Sequence, residues 1–81
     1  MEADPKTAFG KVLRRLRRER DLSQEALAER AGLARNHLSE IERARRDPGL
    51  TTLVQIADAL GIGTGELFKR FDEERGRPAS A

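Results

Sequence analysis

Between Ser23 and Asp47 two short helical patterns follow one another with only Ala31-Gly32-Leu33 at their junction, and this spacing restricts the fold more than any other feature of the chain. Ser23 is an N-cap residue whose hydroxyl can accept a bond from an amide at the start of a helix. Leu22 and Leu27 flank it at the positions that clip together as a hydrophobic staple. Glu25 places negative charge in the first turn, where the helix dipole favours it. Leu27, Ala28 and Ala31 form one apolar stripe, and Gly32 can end the helix in a left-handed conformation. A second helix then leaves at a steep angle within three residues.

That second pattern, Arg35 to Arg43, has few apolar residues, and they are placed by period. At about 100° per residue, Leu38 and Ile41 point one way while Arg35, Asn36, Ser39, Glu40 and Arg43 spread over the opposite face. Such a face could simply be solvated. Its residue types say more: arginine can fork to guanine and asparagine can pair with adenine through two bonds, as a helix that reads the major groove requires. The pair of helices reads as a helix-turn-helix, with duplex DNA as its partner.

The run Leu22-Ser23-Gln24-Glu25-Ala26-Leu27-Ala28-Glu29-Arg30-Ala31-Gly32-Leu33, then Leu38-Ser39-Glu40-Ile41-Glu42-Arg43 and Asp47-Pro48, resembles the phage Cro and repressor family, also called the xenobiotic response element family. The match extends through Leu53-Val54-Gln55-Ile56-Ala57-Asp58-Ala59-Leu60-Gly61 to Glu66-Leu67-Phe68, and back to Leu13, Leu16 and Arg17. The resemblance implies a compact, all-α, five-helix, lambda-repressor-like DNA-binding domain over residues 1–71. It also implies roles by position. Gln24 matches a position that bonds a phosphate and helps to hold the recognition helix in register. Arg35 and Asn36, with Ser39 and Glu40 one turn on, match positions that read base edges. Arg43, Arg45 and Arg46 match positions that grip the backbone, and Arg17 and Glu42 match an internal ion pair between the first and third helices.

Two residues depart from the family pattern. Ala34 stands where a capping Ser or Thr is common, a loss of typically about 1 kcal/mol. Ala44 stands where Gly often ends the recognition helix, so either the helix ends differently or the site carries about 1 kcal/mol of strain.

Composition agrees with one small domain. Eighty-one residues, 37% of them hydrophobic, allow a single core, and chains this short bury only about 60% of their unfolded surface. No separate ligand-sensing domain is expected. The chain has no cysteine, so helix packing alone must stabilise it. No signal peptide is visible and no apolar run approaches the roughly 20 residues that span a bilayer, which leads to an expectation of a cytoplasmic protein that keeps away from membranes. The net charge of +2 hides an asymmetry: Lys6 to Arg46 holds 12 basic residues against 6 acidic, and Asp47 onward holds 4 against 6. Positive charge thus gathers on the half with the helix-turn-helix, as a phosphate-binding surface needs.

Elsewhere, Asp4-Pro5 is a start signal for the first helix. Phe9, Leu13 and Leu16 form its inner face, and Lys11, Arg14, Arg15 and Arg18 an outer face that serves solubility or flanking phosphates. Arg45 to Gly49 reads as a loop, since the residue before Pro48 is pushed out of the helical region. A fourth helix covers about Leu50 to Leu60, burying Leu53, Ile56, Ala57 and Leu60. Gly61-Ile62-Gly63 breaks it, and Thr64 can cap a short fifth helix with Leu67 and Phe68. From Asp72 to Ala81 no apolar stripe continues, which predicts a mobile tail.

Chemistry of other kinds has little support. His37, the single histidine, leaves too few ligands for a metal site and reads as a half-exposed flank residue more readily than a DNA contact. The glycines around Gly63 follow no strand and lack the lysine of a phosphate loop, and no nucleophile, base and orienter share a recognisable spacing. The expectation is a protein without enzymatic activity, cofactor or small-molecule ligand. One recognition helix reads only a few base pairs, so a homodimer on a two-fold related operator is expected, with half-site centres about 34 Å apart. Ile62, Leu67, Phe68 and Phe71 are candidates for its seam; at least one of Leu67 and Phe68 is expected to close the core instead, and Phe71 and Ile62 are the better fits for the seam. The dimer would block or recruit RNA polymerase. Controller proteins of restriction-modification systems are among the small family members that resemble it, although no residue singles them out. The competing reading is an antitoxin-like or bridging module whose main partner is a protein.

Overall fold

The computed structural model describes residues 4–77. Five helices, α1 (Pro5–Glu19), α2 (Gln24–Ala31), α3 (Arg35–Glu42), α4 (Leu50–Leu60) and α5 (Thr64–Glu74), account for the regular structure of these residues. They pack into a body of 33 × 24 × 23 Å. None is long and apolar enough to cross a membrane.

The starts of α1 and α2 follow from single side chains. Asp4 accepts a bond from the Thr7 amide with Pro5 in the first turn, and Ser23 accepts one from Ala26, each satisfying an amide that the helix itself leaves unpaired. Ala34 offers α3 no such bond. Thr64 does not cap α5: the cap position belongs to Gly63, and Thr64 is the first helical residue.

All five helices end in one way. Asp21, Gly32, Ala44, Gly61 and Gly76 take positive φ, and in each case the amides of that residue and the next turn back to the last carbonyls of the helix. For α3 these bonds run from Ala44 to Ile41 at 3.1 Å and from Arg45 to Glu40 at 2.8 Å. This paired closure satisfies orphan carbonyls and normally uses glycine. Ala44, at φ +61°, therefore settles the alternatives left by the sequence: the helix ends as usual and the alanine bears the strain.

The core joins Phe9, Val12, Leu13 and Leu16 of α1 to Leu27, Leu38, Ile41, Ile56, Leu60 and Leu67 from the other four helices. Each large apolar side chain so buried contributes about 1.5–3 kcal/mol. Gly10 allows α1 to lie against the end of α3, since a Cβ there would come within 2.5 Å of the Glu42 carbonyl oxygen.

The C-terminal boundary differs from expectation. Asp72, Glu73 and Glu74, assigned to the tail, are helical. Arg15 reaches Glu74 at 2.9 Å, Phe71 packs edge to face between Phe9 and Phe68, and the Arg75 guanidinium lies 5.3 Å from the Phe71 ring centre. Residues 78–81 of the expected tail lie outside the described residues.

Candidate nucleic-acid interface

The position of α3 is set by one buried carboxylate. Glu42, the last residue of the helix, has a side chain with no solvent exposure, and a charge in that setting must be paired. Arg17 of α1 supplies two parallel bonds, Nε to Oε2 at 2.7 Å and Nη2 to Oε1 at 3.1 Å. Gln24 of α2 donates to Oε1 at 3.0 Å. Arg14 donates to the Glu42 backbone carbonyl at 3.3 Å, and a cation at that helix end also suits the dipole. Arg17 in turn bonds the Leu22 carbonyl at 2.8 Å. Two helices, α1 and α2, are thus tied to the end of α3 through Glu42.

With Leu38, Ile41 and Glu42 inside, the rest of α3 is turned outward. Arg35, Asn36 and Arg43 are exposed, and Ser39, Glu40 and His37 are half-buried. Asn36 and Arg43 stand seven residues apart, two turns along one face, with Ser39 and Glu40 between them. Arg45 and Arg46 are exposed in the loop that follows. The ordering of this surface contains one tie absent from the sequence reading: Arg46 folds back onto Glu40, its Nε and Nη2 both 2.8 Å from Oε1. Gln24, expected at a phosphate, is half-buried with its amide turned to Glu42.

The candidate seam residues separate. Leu67 is fully buried because it lies on the inner stripe of α5, so it closes the core and is removed from the seam. Ile62 and Phe71 are partly buried against the core, whereas Phe68 keeps 39% of its surface exposed. Leu50 and Val54 of α4, unremarked in the sequence, are also exposed, at 75% and 39%. Their spacing of four residues was the available signal, an apolar pair on the flank of the inward stripe. Beside them an apolar groove runs between Pro5, Phe9, Pro48, Leu53, Phe68 and Phe71.

A tight two-helix unit, whose second helix is locked from behind and shows a basic, polar face, is the DNA-binding helix-turn-helix arrangement. The chain belongs to the HTH_3 helix-turn-helix family, whose model matches residues 13–67. It is 41% identical over 70 residues to the uncharacterized HTH-type transcriptional regulator y4dJ of Sinorhizobium fredii, covering 86% of this chain and 91% of the relative. It is 42% identical over 72 residues to the control protein C.MunI of a Mycoplasma species, covering 88% and 97%. Among solved structures, the restriction-modification controller protein C.AhdI of Aeromonas hydrophila superposes with a TM-score of 0.76 at 41% identity, covering 78% of this chain and 96% of that one. The chain therefore has the fold of helix-turn-helix transcriptional regulators.

Proposed function

We propose that the protein is a sequence-specific transcriptional regulator in the cytoplasm that binds a two-fold related operator as a homodimer, with α3 in the major groove. The observation that carries this reading is the outward placement of Asn36 and Arg43 on a helix whose other side is fixed by Glu42. Arg35, Asn36 and Ser39 read base edges, with arginine suited to guanine and asparagine to adenine. Arg43, Arg45 and Arg46 meet phosphates, joined by the second amide hydrogen of Gln24. The exposed Leu50, Val54 and Phe68, with Ile62 and Phe71 beside the core, supply apolar surface for a second copy. Binding blocks or recruits RNA polymerase without a cofactor or small-molecule ligand, and protein concentration governs occupancy through the dimer equilibrium.

Selection of bound sequences from a random duplex pool tests the reading. Enrichment of an inverted repeat with half-site centres about 34 Å apart is expected. A pool without enrichment overturns sequence-specific binding, and an enriched single half-site together with a monomer in analytical ultracentrifugation overturns the dimer.

A further inference from the structure

We propose that Glu40 is a positioning residue that carries Arg46 to the DNA backbone, and that it does not read a base edge. The inference rests on α3 being the groove-reading helix. Two features fold the loop onto Glu40 at once. The left-handed turn at Ala44 sends the Arg45 amide back to the Glu40 carbonyl at 2.8 Å. The Arg46 guanidinium then approaches the Glu40 carboxylate through Nε and Nη2, both 2.8 Å from the same oxygen.

The consequence of this pair lies at the surface. Both side chains are about half exposed, and an ion pair in such a setting adds little to the stability of a fold. Glu40 nevertheless stands on the outer face between Asn36 and Arg43, where a lone carboxylate would repel the phosphates that Arg43 and Arg45 approach. Pairing with Arg46 cancels that charge. A guanidinium has five N–H donors; Glu40 takes the Nε–Nη2 edge, which leaves the others for phosphate oxygens. Holding the long arginine side chain in place before binding removes part of the ordering cost of the contact. The pair draws the Glu40 carboxylate toward the Arg46 loop through Oε1, in competition with the cytosine amino group that glutamate otherwise contacts.

A double-substitution cycle on the selected operator tests this, using wild type, Glu40→Ala, Arg46→Ala and the double variant, with melting temperature as a check on folding. Glu40→Ala is expected to weaken binding roughly 3- to 10-fold in the wild-type background, within the range for paired residues. It should produce no weakening when Arg46 is already alanine, and the enriched bases and melting temperature should stay unchanged. Equal effects in both backgrounds, or a changed base at one operator position, overturn the proposal. Tighter binding by Glu40→Ala in the wild-type background also overturns it, because the pair would then be broken on DNA. A wild-type chain that enriches no sequence overturns the reading of α3 as well, which separates the two failures.

Discussion

Ala44 occupies a backbone conformation that L-residues avoid, with φ +61°, yet nothing in its side chain compensates. Replacing it by glycine relieves the strain while adding unfolded-state freedom, a smaller opposing effect. Ala44→Gly should therefore stabilise the domain by up to about 1 kcal/mol, which for a chain of this size raises Tm by roughly 4–8 °C; a thermal melt checks it. Arg35 stands at the opposite end of the same helix, exposed and without a protein partner among the described residues. Arg35→Ala should leave the melt unchanged, cost about 1–3 kcal/mol in operator binding and relax the preference at one base position. Competition with operators altered at single positions reads that effect.

At the scale of the element, α3 is defined by what grips it. Glu42→Ala removes the carboxylate that pairs with Arg17 and Gln24 and strands a guanidinium whose side chain is only 11% exposed. Breaking such a buried pair costs about 3–5 kcal/mol, so denaturant unfolding should show a large loss of stability. Gly10→Ala should cost about 1–3 kcal/mol by pushing α1 off the Glu42 carbonyl, measured in the same way. The ends of α2 and α3 were readable because their signals are local: Ser23 before an apolar stripe, Gly32 after it, Pro48 beyond the loop. The length of α5 was not, since Glu74 is held by Arg15, 59 residues away, although Gly76 marked the stop. The outward set Arg35, Asn36 and Arg43 followed from helical period alone. The inward turn of Gln24 and the fold-back of Arg46 depend on partners 18 and 6 residues distant, which period does not encode. Leu67 and Phe68 are adjacent and equally apolar, and only the tilt of α5 on the core decides which one is hidden.

At the scale of the whole molecule, the described residues measure 33 Å along their longest axis, close to the roughly 34 Å between successive turns of a duplex seen from one side. Copies seated on neighbouring turns can therefore stand shoulder to shoulder without a tether. Inserting about 5 base pairs between the half-sites, roughly half a helical turn, carries the second copy to the far side of the DNA. If the protein binds as the proposed dimer, gel-shift titrations on that spacer variant should lose cooperativity and fall to the affinity of an isolated half-site, the long axis of the protein then acting as the ruler between its two sites.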